Sequence, residues 1–203
     1  MSFCIFGCRI SVDFLFFAVL AFGFCCDGGG YLGLTFLCAI AHEAGHIFAM
    51  LLCGVPPVCI LFEPFGAAIK CPGSNFLPEK LQIVIFLTGA FVNFALAGIA
   101  FLMFGECPFF WINAALGIFN LLPIAPLDGA NALECLLGVF LGEKRANLYE
   151  KIISAAFLLP FAIFAFSAAL KNKGNFSVLF VCLYLCGIFL ADCGVMKGNK
   201  NVS

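Results

Sequence analysis

Two histidines and a glutamate in the segment His42-Glu43-Ala44-Gly45-His46 form a pattern that can support metal-assisted hydrolysis. Residues four apart lie one above the other on the same face of an α-helix, so both imidazoles can reach a single ion. Glu43 lies beside them, at the angle from which a carboxylate can take a proton from an attacking water. The pattern predicts one zinc ion per chain, with His42 and His46 as ligands, Glu43 as general base and peptide hydrolysis as the reaction.

The scarcity of histidine favours this interpretation. The 203 residues include 2 histidines, and both lie in the motif. The surrounding residues 31–53 are apolar and numerous enough to cross a membrane. Three ionisable groups at that depth need partners, because unpaired charge is costly in hydrocarbon. A metal ion satisfies all three groups, which favours it over two packed core histidines beside a stray glutamate.

Composition decides the class of protein. Hydrophobic residues make up 64% and charged residues 10% of the chain, against roughly 45–50% and 25% in soluble domains. We predict an all-α polytopic membrane protein in a lipid bilayer, of the kind found in a bacterial-type cell membrane. The net charge of −1 leaves no basic face for nucleic acid, which we exclude as a partner. Most of the 13 cysteines lie in apolar runs, so we interpret them as small buried hydrophobes.

Six apolar segments predict about six transmembrane helices in a single membrane-embedded domain, residues 1–203. They are residues 10–26, 31–53, 81–104, 109–141, 152–170 and 176–196. Residues 31–141 form the predicted catalytic core, and the first and last two spans are accessory. The polar residues 142–151 indicate a solvated loop.

Residues 54–80, after the second span, indicate a short membrane-associated hairpin. Five prolines exclude a long helix there, and residues 58–62 and 67–69 have the composition of short strands. A strand edge near the metal would let an extended peptide add itself by backbone hydrogen bonds. The alternative is a loop that only lies on the membrane surface.

The third span carries small and polar residues at four-residue steps, namely Gly89, Asn93 and Ala97. Small residues on one stripe predict close helix packing, which is also our preferred explanation for Gly45. Asn93 either hydrogen-bonds between helices or steers the substrate carbonyl and its developing negative charge.

Asp128 is the predicted third zinc ligand. A catalytic zinc site takes three protein ligands and keeps one position open. Pro123 and Pro126 break the fourth apolar segment, and broken backbone at membrane depth must be buried or line a wet cavity. Asp128 follows that break and can point into the cavity. Glu134 and Asp192 are the alternatives, but neither lies beside a break.

Residues 35–131 resemble the site-2 protease family of intramembrane zinc metalloproteases, peptidase family M50. The resemblance is carried by HEAGH, by NLLPIAPLDGAN about eighty residues later, and by TGAFVN around Asn93. It implies that His42, His46 and Asp128 are ligands and that Glu43 is the acid-base. It further implies that Asn93, Asn120 and the hairpin around Gly66 contact the substrate.

Within that family, the short chain without an inserted PDZ domain resembles the stage IV sporulation protein FB branch. Members of that branch cleave a membrane-bound pro-sigma factor. They commonly carry a C-terminal CBS domain, for which this sequence offers no segment, so regulation through bound nucleotide is not expected. The implied partners are a membrane-protein substrate and membrane regulatory proteins.

The distribution of positive charge predicts the orientation, since positive residues favour the cytoplasmic side. With six spans, eight positive residues fall on the side of both termini and two on the other. The eight are Arg9, Lys70, Lys80, Lys144, Arg145, Lys151, Lys197 and Lys200, and the two are Lys171 and Lys173. Both termini are therefore predicted to be cytoplasmic. Two other functions use the same residues: a membrane zinc transporter and a homologue that binds substrates without cutting them.

Overall fold

The computed structural model describes residues 2–5, 8–12, 29–63, 66–70, 77–171 and 177–199, and side chains at 9, 11, 29–61, 77–170 and 178–193. The chain forms two compact units, Met1–Asn120 and Leu121–Ser203. The expectation of a single domain with a core at 31–141 stays a prediction. Each unit is built from its own helices, and the first also contains a sheet.

The described strands of the first unit form one four-stranded sheet in the order β1-β2-β3-β4. The strands are β1 (Ser2–Ile5), β2 (Cys8–Val12), β3 (Cys59–Glu63) and β4 (Gly66–Lys70). Strands β3 and β4 pair antiparallel, with Glu63 opposite Gly66. The hairpin expected after the HEAGH helix is therefore confirmed.

The expected start of a first transmembrane helix at Ile10 is wrong, because residues 10–12 belong to β2. This strand pairs parallel with β3, Ile10 opposite Ile60, and the Arg9 N–H donates to the Val58 carbonyl at 2.8 Å. Branched side chains at Ile10 and Val12 suit a strand, and β3 supplies the partners for its backbone. The rest of the expected span, from residue 13, lies outside the described residues.

Three helices complete the described part of the first unit: α1 (Leu32–Leu52), α2 (Glu79–Phe104) and α3 (Pro108–Asn120). Glycines at positive φ end the first two, Gly54 at 73° and Gly105 at 70°, a conformation that side chains with a Cβ rarely adopt. Pro108 opens α3, where its missing N–H is harmless.

Close packing of α1 on α2 depends on Gly45. A Cβ at this position would lie 2.9 Å from a methyl group of Val92 and 3.4 Å from the Cα of Gly89. The first distance is shorter than real Cβ contacts, so a residue larger than glycine would force Val92 to shift. The helix-packing explanation for Gly45 is therefore supported, and the buried face of α2 consists mainly of small residues, Gly89, Ala90, Ala97 and Ala100.

The second unit contains α4 (Asp128–Leu141), α5 (Glu143–Lys171) and α6 (Ser177–Asn199). Residues 121–127 are not helical, so the break expected at Pro123 and Pro126 is confirmed. An ion pair of 2.6 Å between Lys151 and Asp192 joins α5 to α6. Pro160 lies inside α5.

The solvated loop expected at residues 142–151 is wrong, since α5 begins at Glu143. Nothing after Gly142 in GEKRANLYEK breaks a helix, and Glu143 lies in the first turn, where a negative charge is favourable. Ala146 and Glu150 are buried on one face of this helical polar stretch. Its polarity therefore marks one side of a helix.

Three of the described helices are long and apolar enough to cross a membrane: Leu32–Leu52, Glu79–Phe104 and Glu143–Leu170. A shorter apolar helix covers Val178–Cys193. Helices α3 and α4, with 13 and 14 residues, are each about 20 Å long and too short alone for a hydrocarbon core of about 30 Å. The predicted polytopic helical membrane fold is confirmed.

Candidate metal centre

His42 and His46 lie on the buried face of α1, one turn apart, with 4% and 6% of their surfaces exposed. Their Nε2 atoms are 3.1 Å apart. Two nitrogen ligands at ordinary Zn–N distances on one tetrahedral zinc would be roughly 3.3 Å apart. The helix therefore presents the two imidazoles at a spacing that fits a shared ion.

Helix α2 fixes the orientation of the His46 ring through a contact with its Nδ1 atom. This atom lies 2.8 Å from the carbonyl oxygen of Ile85. A carbonyl oxygen only accepts hydrogen bonds, so Nδ1 carries the proton and Nε2 of the neutral ring keeps its lone pair. This arrangement is typical of metal-binding histidines, whose second nitrogen is held by a neighbouring acceptor.

Gly89 on α2 provides the space into which both rings project. A Cβ at this position would overlap Nε2 of His46 and lie 2.6 Å from Nε2 of His42. Any other residue would therefore displace the two nitrogens that face each other. The absence of a side chain at Gly89 leaves a cradle for an ion beside the imidazoles.

Asp128 is the first residue of α4 and is half-buried. His42 and His46 supply two buried imidazole nitrogens on α1, and Asp128 supplies a carboxylate at the start of α4. Two imidazole nitrogens and one carboxylate oxygen form the donor set of a catalytic zinc site with an open position. The residues present therefore fit zinc.

Both alternatives to Asp128 are engaged elsewhere within the second unit. Glu134 accepts a hydrogen bond of 2.8 Å from the side-chain amide of Asn147. Asp192 forms the ion pair with Lys151, and half of its side-chain surface is exposed. Each of these carboxylates is paired with another side chain, so neither is an obvious metal ligand.

The remaining residues expected at the site lie in different environments. Glu43 follows His42 on α1 and is half-buried. Asn93 is fully buried on α2, and neither atom of its amide has a hydrogen-bond partner in the described part of the chain. Asn120, at the end of α3, donates to the Leu116 carbonyl at 3.1 Å. Gly66 is the first residue of β4.

Sequence reasoning missed Asn113, which supports the helix that bears the histidines. Its side chain is fully buried, and its Nδ2 donates to Cys38 Sγ on α1 at 3.1 Å and to the Phe109 carbonyl at 2.9 Å. The available signal was weak: an amide in the middle of an apolar helix, four residues before the buried Gly117.

Comparison with known proteins points to one family. The sequence model of peptidase family M50 matches residues 106–164, which include Asp128. Zinc metalloprotease MJ0392 of Methanocaldococcus jannaschii is 26% identical over 143 residues, covering 64% of this chain and 41% of the relative. The Synechocystis sp. protein sll0528 is 27% identical over 130 residues, covering 57% and 33%. The chain thus spans less than half the length of both relatives.

A solved structure has a similar fold. The structure of the site-2 protease from Methanocaldococcus jannaschii superposes with a TM-score of 0.66 at 21% sequence identity. The superposition covers 91% of this chain and 92% of that one. Zinc is the metal that the donor set and the named relative support. The resemblance of this chain to peptidase family M50, the family of the site-2 proteases, is therefore confirmed.

Proposed function

We propose that this chain is an intramembrane zinc metalloprotease that hydrolyses a peptide bond in a membrane-embedded or membrane-tethered protein. The observation that carries the proposal is the pair of buried imidazoles on α1, His42 and His46, whose Nε2 atoms lie 3.1 Å apart. The helices apolar enough to cross a membrane support a reaction within the bilayer. The relative named as a zinc metalloprotease supports the reaction class.

The proposed metal ligands are Nε2 of the two histidines and one oxygen of Asp128. Bound zinc supplies Lewis-acid chemistry, which polarises a peptide carbonyl and makes water nucleophilic near neutral pH. Two neutral imidazoles and one carboxylate leave the centre with a net positive charge. With zinc bound, that net charge would stabilise the negative charge that develops on the carbonyl oxygen.

Glu43 is the proposed proton carrier. Its carboxylate takes a proton from the attacking water and returns it to the nitrogen of the leaving amine. One group performs both transfers because the first leaves it in the acid form that the second needs. Glu43 follows His42 on the same helix, so its position relative to the two histidines is set by α1.

The substrate must be extended before it can be cut, since a helix hides its amides in its own hydrogen bonds. Within the described sheet β4 lies at an edge, with β3 on one side. We propose that an unwound substrate segment pairs with β4, beginning near Gly66. The side chains of Asn93 and Asn120 are the proposed donors and acceptors for its backbone.

The proposed substrates are membrane-tethered transcription regulators such as a pro-sigma factor, in keeping with the sporulation branch that the motifs resemble. We also propose that membrane partners regulate access to the site. The excess of positive residues on one side supports cytoplasmic termini. A water path to the metal would then open from the cytoplasm.

Transport of zinc is a weaker interpretation of the same ligands. Secondary transporters usually have matched broken helices in two repeated halves. Among the described helices, the break at residues 121–127 has no counterpart, since α5 continues through Pro160. A homologue that binds without cutting would not need Glu43.

Co-expression with candidate membrane-tethered regulators tests the proposal. The wild-type chain should release a fragment that is missing with Glu43→Gln, while zinc stays bound to both. Zinc flux into proteoliposomes, without cleavage of any candidate, would contradict the proposal and favour transport.

A further inference from the structure

Residues 121–127 have unusual hydrogen-bonding needs. They lie outside a helix in an apolar part of the second unit, and Pro123 and Pro126 have no N–H group. Backbone polar groups that no helix satisfies need other partners when they are buried. Some of these partners come from the segment itself, where Ile124 N donates to Leu122 O at 2.8 Å and Leu127 N donates to Ile124 O at 2.9 Å.

Ser154 on α5 supplies the partners for two further groups. Its hydroxyl accepts a hydrogen bond of 3.0 Å from Ala125 N–H and donates to the Pro123 carbonyl at 3.1 Å. The side chain is completely buried. A serine within a helix commonly bonds to its own backbone one turn back, whereas this one holds both sides of Ile124 in the break.

Glu150 lies one turn before Ser154 on α5 and contacts its hydroxyl group. Its Oε1 is within hydrogen-bond distance of Ser154 Oγ, and the residue is only 4% exposed. The hydroxyl carries one hydrogen, so it cannot donate to Glu150 and to Pro123 at the same time. The carboxyl group thus orients the hydroxyl in competition with the backbone of the break.

The break also packs against the first turn of α4. A Cβ on Gly129 would overlap the Leu121 carbonyl and lie 2.7 Å from the Leu122 carbonyl oxygen. Ala130 N donates to Leu127 O at 3.1 Å, which starts the helix immediately after the break. The start of α4, and with it the direction of Asp128, therefore depends on the path of residues 121–127.

We propose that Ser154 is a positioning residue for Asp128, and that Glu150 orients its hydroxyl group. Ser154 holds the break by accepting a hydrogen bond from Ala125 N–H and by its contact with the Pro123 carbonyl. The break in turn sets where the first residue of α4 projects its carboxylate. The inference rests on the proposed function only in taking Asp128 as a zinc ligand. It assigns no contact between Ser154 and the metal or the substrate.

The test compares Ser154→Ala, which removes both hydrogen bonds, with Ser154→Thr, which keeps the hydroxyl. Zinc affinity is measured in the purified full chain by competition with a chelator, and the absorption spectrum of the cobalt-loaded protein is recorded. Ser154→Ala should weaken zinc binding by roughly 10–100-fold, as changes around metal ligands do, and alter the cobalt spectrum. Ser154→Thr should restore both. Ser167→Ala, at an exposed position of the same helix, is the matched control.

Thermal unfolding with and without zinc separates positioning from general stability. A positioning role predicts that Ser154→Ala reduces the rise in Tm that zinc produces, since that rise follows the affinity for the folded state. Wild-type zinc affinity in Ser154→Ala, or equal losses in the Ala and Thr variants, would overturn the inference. If Ser154→Ala does not fold, Ser154→Cys, a weaker hydrogen-bonding group of similar shape, should show an intermediate loss, and wild-type affinity there would equally overturn it.

Failure of the proposed function has a different signature. If the wild-type chain binds zinc through Asp128 but cleaves no substrate, the protease assignment fails and the zinc affinities of the Ser154 variants still decide the positioning role. If the wild-type chain cleaves and Ser154→Ala binds zinc normally, the positioning role alone fails.

Discussion

The Nδ1 atom of His46 lies 2.8 Å from the carbonyl oxygen of Ile85, and the Nε2 atom of the same ring lies 3.1 Å from Nε2 of His42. The first contact fixes the proton on the outer nitrogen and so leaves the inner one available as a ligand. Helix α2 therefore orients the imidazole of His46, which we propose as a zinc ligand, although α2 supplies no ligand in our assignment.

Replacing Gly89 by alanine should disrupt the centre without unfolding the chain. The new Cβ would overlap Nε2 of His46 and crowd Nε2 of His42, so both rings must turn away. We expect zinc affinity to fall by roughly 10–100-fold, the range found when ligand orientation is disturbed. Gly98→Ala is the control, because a Cβ there meets nothing within 4 Å on the same helix. Normal zinc binding in Gly89→Ala would show that the rings do not need this space.

Replacing Glu43 by glutamine should separate binding from chemistry. The amide keeps the size of the side chain but cannot take a proton, so zinc content should stay at the wild-type level. Cleavage should fall by roughly 10²–10⁴-fold, the usual contribution of a general acid-base. Metal analysis and a cleavage assay on the same preparation measure both. Cleavage at the wild-type rate would remove Glu43 from the mechanism.

Replacing Asp128 by asparagine should lower both zinc content and cleavage, because the amide is a neutral and weaker ligand. The comparison variants are Glu134→Gln and Asp192→Asn, whose carboxylates are engaged with Asn147 and Lys151. These two should keep wild-type zinc content. If zinc content falls in one of them but not in Asp128→Asn, the third ligand has been misassigned.

Asn93→Leu should leave the protein as stable as before, or more stable, while slowing cleavage. Both amide atoms of Asn93 are buried without a partner among the described residues, and such groups each cost about 1–3 kcal/mol. Leucine removes that cost at similar size. If the amide serves the substrate, cleavage should fall by roughly 10²-fold with zinc unchanged. A lower Tm with normal cleavage would instead indicate a purely structural role.

The helical spacing of His42 and His46 and the prolines before Asp128 could be interpreted from sequence because they act locally. Residues four apart share a helix face, and proline stops a helix wherever it stands. The strands of the hairpin were recognisable for the same reason, since prolines and glycines bound them.

The pairing of β2 with β3 could not be predicted, because the partners are about fifty residues apart and no local pattern specifies them. The polar stretch after Gly142 was mistaken for a loop, since its buried face consists of only a few residues such as Ala146 and Glu150. Ser154 gave no signal either. One hydroxyl in an apolar helix has no spacing to interpret, and its role depends on Pro123 and Ala125, which lie far away in sequence.

X-ray absorption at the zinc edge tests the central claim most directly, using the purified wild-type chain. Our account predicts one zinc per chain with nitrogen and oxygen ligands only, at about 2.0–2.2 Å. In Asp128→Asn the zinc content should fall. The chain contains 13 cysteines, so a sulfur shell at about 2.3 Å is a real alternative. Detection of that shell, or of no zinc at all in an active preparation, would contradict the assignment of His42, His46 and Asp128 as the metal ligands.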